Sequence, residues 1–229
     1  MPRYRMMYAK ERPARYISHL DLLRAFERAV RRAGLPVAFS RGFNPHPKIA
    51  FAAPLGVGTA GEAEFADMEL TADIPASGVA AALSKVLPEG LRLIEVRPAP
   101  EQAPALMAVV DRATYRAEAR LERSVDSGDL ARAITAFLAR PEISVERKNK
   151  AGEKKMYDIR PGIFAMSGRL DDDIIIIEAE LKTGSSGNVR IEEVLDAFTE
   201  FICLPVRGRF VLSRTGLYAG GKKGKRTLW

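Results

Sequence analysis

The chain has 229 residues, 47% of them hydrophobic and 28% charged, with a formal net charge of +7. This balance fits a globular protein with a sizeable core, and no apolar run approaches the roughly 20 residues that cross a bilayer. A single cysteine, Cys203, excludes an intrachain disulfide, and two distant histidines with one thiol argue against an iron–sulfur cluster or a zinc site. No apolar signal-peptide core follows Met1-Pro2-Arg3-Tyr4-Arg5. The expectation is a cytoplasmic protein without membrane association, cofactor or metal.

Residues 3–16 alternate loosely and are rich in Tyr and Met, which predicts a strand followed by a turn near Glu11-Arg12-Pro13. Ser18, with Asp21 three positions on, marks a capped helix start. Leu22, Leu23, Phe26, Val30 and Ala33 give the helix over 19–33 one apolar face, and Gly34 stops it. A proline-rich loop leads to a short strand at 48–53, a glycine-bearing turn at 54–61 and a half-buried strand at 62–71. An Ala-rich helix over 77–87 and a strand at 91–96 complete the order β-α-β-β-α-β, that of a ferredoxin-like unit.

Residues 98–112, with Pro98, Pro100 and Pro104, read as a linker. The pattern then restarts. A strand at 114–122 precedes a helix over 127–139, and an extended arm starts at 143, turns at 149–153 and resumes over 155–163. A strand at 173–181, a helix over 190–202 and a strand at 209–217 follow. The expected fold is α+β, with tandem ferredoxin-like βαββαβ domains at 1–97 and 113–219. The glycine-rich basic stretch 220–229 is expected to be a flexible tail. Cys203, between Ile202 and Leu204, is expected in the core.

Charge is unevenly spread. Residues 1–50 hold eleven Lys and Arg against three acids, residues 51–111 three against nine, and residues 205–229 seven against none. Positive charge concentrated at both ends suits a polyanion. On the first helix Arg24, Arg28, Arg31 and Arg32 share the side opposite the apolar face, as a stripe along a phosphate backbone would require. Arginine is also a good helix former, so the stripe is equally a solvated surface.

The loop Gly42-Phe43-Asn44-Pro45-His46-Pro47 carries the sharpest signal. Two prolines stiffen the backbone and present Asn44 and His46 in a fixed pose, flanked by Arg41, Phe43 and Lys48. Cations, a ring and hydrogen-bond donors on a stiff loop suit an anionic, stackable ligand such as RNA. The same residues also make an ordinary turn before a strand. His46 and His19 are the weak candidates for acid–base catalysis. Arg160, Arg214, Lys222, Lys223, Lys225 and Arg226 are further candidate phosphate contacts, and Arg160 equally suits a structural ion pair. Asp171-Asp172-Asp173 reads as a solvated turn rather than a metal site.

Ser18-His19-Leu20-Asp21, Gly42-Phe43-Asn44-Pro45-His46-Pro47, Asp158-Ile159-Arg160-Pro161 and Leu212-Ser213-Arg214-Thr215-Gly216-Leu217-Tyr218 occur in this order. On these motifs the chain resembles the bacterial radical SAM-linked protein family, whose members are encoded beside, or fused behind, a radical SAM protein. The resemblance implies a radical SAM partner and no reaction. The function expected is a non-catalytic RNA-binding accessory module that presents ribosomal or transfer RNA to that partner. The alternatives are a protein-only adaptor of the radical SAM enzyme and a metal-independent endoribonuclease using His46 or His19.

Overall fold

The computed structural model describes residues 1–229 other than Glu101, Lys150, Ala151, Ser186, Lys222 and Lys223. It divides into two compact units, Met1–Asp111 with Ser213–Trp229, and Arg112–Leu212. In chain order the elements begin β1 (Arg3–Lys10), α1 (His19–Arg32), β2 (Ile49–Phe51), β3 (Ala60–Glu69), α2 (Ala76–Ser84), β4 (Leu91–Ala99) and the one-turn α3 (Leu106–Val109). They continue with β5 (Val110–Leu121), α4 (Ser127–Leu138), β6 (Ser144–Lys148), β7 (Lys154–Asp158), β8 (Ile163–Asp171), β9 (Ile174–Lys182), α5 (Ile191–Ile202), β10 (Val206–Gly221) and β11 (Gly224–Arg226). The mixed α+β class is the one expected. Among the described residues no helix is long and apolar enough to cross a membrane.

In the first unit β1 lies between β4 and β3, antiparallel to both. The far edge of β3 takes β2 antiparallel at Ala66 and Met68, and β10 parallel at Ala60 and Gly61. Alternation along β1 sends Tyr4, Met6 and Tyr8 into the core, where they meet Phe26, Ala29 and Val30 of α1. Tyr8, Phe26 and Phe51 pack edge to face at centroid separations of 5.0–5.9 Å. Fully burying a ring such as Phe26 contributes roughly 2–3 kcal/mol. Ser18 caps α1 by accepting from the Asp21 amide at 3.2 Å.

In the second unit the strands run β10-β5-β9-β8. Ala113, Tyr115, Ala117, Ala119 and Leu121 of β5 are buried, as are Ile175, Ile177, Ala179 and Leu181 of β9. α4 lies on this side. A Cβ built on Gly168 would stand 2.8 Å from Ile134 Cδ1, so the helix closes on the sheet only because residue 168 has no side chain. β6 and β7 form a separate two-stranded ribbon. It is tied to α5 by Arg147, which bonds Glu193 at 2.6 and 2.8 Å and the Asn188 carbonyl at 2.9 Å.

Three sequence expectations are corrected. Residues 98–112 are not an open linker: β4 runs through Ala99, β5 starts at Val110, Leu106 is buried, and Arg3 donates to the Ala103 carbonyl at 2.8 Å. Residues 213–219 belong to the first unit, and those described in 220–229 are not a loose tail. Ala219 and Gly220 pair with Arg226 and Lys225, Leu228 is buried, and Trp229 packs edge to face on Phe65 at 5.3 Å. Lys222 and Lys223 lie outside the described residues. Cys203 is exposed at the left-handed C-cap of α5 (φ 49°), because the helix must turn there and its neighbour Leu204 takes the buried position.

Candidate nucleic-acid interface

The apolar face of α1 goes into the core, and Arg24, Arg28, Arg31 and Arg32 are all exposed on its other side. They are not equivalent. Arg24 reaches Asp21 at 3.4 Å, with both side chains more than half exposed, so the pair contributes little. The Ser18 hydroxyl, ahead of Arg24, holds the Asp21 carboxyl below its ordinary pKa. Arg32 donates to the Val86 carbonyl at 2.7 Å and is committed to packing α2's end. Arg28 and Arg31 have no hydrogen bond or ion pair among the described residues. The free cations of the stripe are thus Arg28 and Arg31, with Arg24 weakly held.

The proline loop is closed by Ser40 and His46. The Ser40 amide donates to the His46 carbonyl at 2.9 Å, and the His46 amide donates to Ser40 Oγ at 3.1 Å. Ser40 Oγ also lies 3.0 Å from His46 Nδ1. The Asn44 carbonyl lies 3.4 Å from the same nitrogen, so Nδ1 faces both a hydroxyl and a carbonyl. Gly42 sits at φ +135°, a backbone that side-chain-bearing residues rarely adopt, and the chain swings outward there. Phe43 is 106% exposed, with Arg41, Asn44 and Pro45 also exposed. Lys48, by contrast, is neutralised by Glu69 at 2.7 Å.

Other candidates turn inward. Arg214 is 1% exposed: its Nε and Nη2 grip Glu64 at 2.8 and 2.5 Å, and its remaining donors take the carbonyls of Ala53 and Pro54. It is an internal tie of the first unit, not a phosphate contact. Arg160 donates to the carbonyls of Leu138 and Ile163 at 2.8 and 3.0 Å, while Asp158 accepts from the amides of Ile143 and Arg160. The Asp158–Arg160 motif therefore fastens the base of the β6–β7 ribbon, within the second unit. His19 is half-buried edge-on against Phe51, and burial, then nearby Lys10, lowers its pKa. Lys225 stands over the Tyr218 ring at 4.8 Å, and Arg226 is exposed.

Sequence reasoning missed the charged interior behind Arg214. Lys10 is 1% exposed and donates to the Ile17 carbonyl at 3.0 Å, with burial lowering its pKa despite Glu64. Burial, then Glu64, pushes the Tyr8 hydroxyl well above its ordinary value. It also missed Arg207 and Arg209, exposed on β10 and with no hydrogen bond or ion pair among the described residues. Both stand in the basic carboxy-terminal segment, so the charge count pointed at their neighbourhood without singling them out.

A family model described as uncharacterized protein conserved in bacteria (DUF2344) matches residues 3–191. No curated protein matches the sequence. Among solved structures, the chain is similar to one in the crystal structure of a Cbf5-Nop10-Gar1 complex, with a TM-score of 0.51 and 10% identity over 92% of this chain and 48% of that one. A chain in the crystal structure of the archaeal box H/ACA sRNP Nop10-Cbf5 complex gives a TM-score of 0.46 at 10% identity, over 92% and 47%. The chain thus spans about half the length of these solved chains, and the likeness to the first is one of fold.

Proposed function

The chain belongs to this family of bacterial proteins, and we propose that it is a non-catalytic RNA-binding module, cytoplasmic, that presents ribosomal or transfer RNA to a radical SAM protein. The radical SAM partner rests on the sequence motifs alone. The RNA reading is carried by two exposed features of the first unit: unneutralised guanidinium groups on α1, and a stiff loop that holds a bare ring. Arg28 and Arg31, with Arg24, supply affinity for phosphates without sequence information. The Phe43 ring offers a stacking surface, and Arg41 and the exposed His46 ring offer polar contacts. In the same reading Arg226 and Lys225 are accessory contacts, and the stripe ends before Arg32. We also read each unit as ferredoxin-like, since the first carries a β-α-β-β-α-β order of elements and the second carries the same order once the separate β6–β7 ribbon is set aside.

The test is a filter-binding titration of the full chain with Arg24, Arg28 and Arg31 changed together to Gln. Affinity should fall for all RNA sequences alike, and the log–log salt slope should flatten by roughly 0.7–0.9 per lost contact. Unchanged affinity and slope in a folded variant would sink the stripe as the footprint. Phe43 also favours the adaptor reading, because a bare ring suits a protein pocket, and salt-insensitive partner binding would select it. The endoribonuclease reading is weaker. Ser40 occupies one nitrogen of His46, and His19 packs against Phe51. RNA cleavage in EDTA would reinstate it.

A further inference from the structure

Among the described residues, α4 and α5 both pack on one side of the second unit's sheet. On the other, Arg112, Arg116, Glu118 and Arg120 of β5 alternate with its buried residues, and the side chains of Arg116 and its partner Glu178 are 41% and 55% exposed. At the edge, Arg209 and Val211 are exposed and alternate with half-buried Phe210 and Leu212, so they stand away from the core. The outward positions of β5 and β10 thus carry several arginines and one acid, Glu118. Glu178 and Glu180 of β9 are engaged by Arg116 and Arg112. Arg207 and Arg209 are left unneutralised among the described residues.

This face also holds a ring. Phe164 sits where the register of β8 on β9 shifts, and it is 41% exposed. The Arg112 guanidinium lies 4.1 Å from its centre on the inner side. Glu180 holds that guanidinium at 2.8 Å, and its buried Nε has no hydrogen-bond partner among the described residues. The ring is thus backed by a fixed cation and remains 41% exposed.

We propose that this sheet face binds single-stranded RNA, with a base stacked on Phe164 and phosphates on Arg207 and Arg209. The proposal rests on the RNA reading above and names a second contact region for the same ligand. Three strand spacings, roughly 14 Å, separate β10 from β8, so the strand crosses the sheet. Four-stranded sheets hold single-stranded RNA in this way when rings stack the bases.

The experiment is fluorescence anisotropy of a fluorescein-labelled uridine dodecamer with the full chain and its F164A, F164W, R207Q/R209Q and R24Q/R28Q/R31Q variants. F164A should weaken binding about fivefold or more, and F164W should restore it to within about twofold, as stacking rather than packing requires. R207Q/R209Q should flatten the salt slope by roughly 1.4. Circular dichroism should match the parent in each case. F164A within twofold of the parent and an unchanged slope for R207Q/R209Q overturn the sheet face, and leave the RNA reading standing if the helix variant still weakens binding. Failure of the parent chain to bind the dodecamer overturns both. Loss of an acidic protein partner in R207Q/R209Q, with dodecamer binding intact, gives the face to protein and overturns the proposal as well.

Discussion

The two units treat the helix-free side of their sheets in opposite ways. In the first, the chain covers that side itself. Trp229 lies on Phe65 and over the Arg97 guanidinium at 4.3 Å, and Leu228 is buried. Arg5, 8% exposed, grips Asp67 through two bonds at 2.8 and 2.9 Å and also donates to the Leu228 carbonyl. In the second, the corresponding side carries half-buried Arg112, Arg116, Glu118 and Glu180, exposed Arg120 and Glu178, and a ring that is 41% exposed. The first arrangement puts ionic contacts where water cannot screen them, and removing one partner is costly. The second leaves the Arg116–Glu178 pair in water, where it is screened, while Arg112 stays held by Glu180. On the proposed RNA reading, the surface that the first unit leaves for the ligand is α1 and its loop rather than its sheet.

The largest effect that could break this contrast is at Arg214. Arg214→Met leaves Glu64 buried without its cation and should cost about 3–5 kcal/mol in urea denaturation. Adding Glu64→Leu should recover much of the loss, because the charge is then gone from both sides. A cost under about 1 kcal/mol would mean that the interior is wetter than its burial indicates. Next comes Leu228→Ala, expected to cost about 2–3 kcal/mol by uncovering part of the first unit's sheet. An unchanged denaturation midpoint would show that the cover contributes nothing.

Smaller effects sharpen the difference between positioning and packing within the loop. Ser40→Ala removes both side-chain bonds to His46 and should cost about 1 kcal/mol. His46→Ala, at an exposed position, should leave the melting temperature nearly unchanged while weakening RNA binding. A large drop in melting temperature with intact binding would make the histidine scaffolding.

The titration of His19 gives a pH signature confined to the first unit. Its folded pKa lies below the ordinary 6.5, so the unfolded chain binds the proton more readily. Stability from this group is complete above the ordinary value and falls as pH drops below it towards the folded value. His19→Gln should remove that part of the slope, read as parent minus variant stability between about pH 7 and 5. A difference that does not change over this window would place the histidine in water. Smallest of all, Arg24→Ala should stay within about 0.5 kcal/mol of the parent, since its pair with Asp21 is exposed.

Local pattern made much of the molecule legible. The 3.6-residue period of 22, 26 and 30, the Ser18 cap and the alternation in β1 fixed elements that need only neighbours in sequence. The α1 stripe and the projecting loop could be read for the same reason. What failed depended on distant partners. Arg214 looked like a surface cation because Glu64, which encloses it, stands 150 positions away. The stretch 220–229 looked loose because glycine and lysine favour disorder, whereas its anchors are Phe65, Arg97 and Arg5. Cys203 has apolar neighbours, but a helix end rather than hydrophobicity decides its place. Phe164 carried no signal, since an isolated phenylalanine before a strand ordinarily goes inside.

The passage of β10 from the second unit into the first has a consequence for synthesis. Residues 112–212 form a continuous stretch, while the first unit is assembled from both sides of it. As the chain leaves the ribosome, Glu64 emerges early and waits some 150 positions for Arg214. The second unit, Arg112–Leu212, is complete before that arginine appears. Assembly is therefore vectorial, with the inserted unit able to fold first and the unit bearing α1 and its loop completed last. A chain stalled or cut before Ser213 would retain the arginine stripe and the loop in its sequence while lacking the strand that supplies Glu64 with its partner.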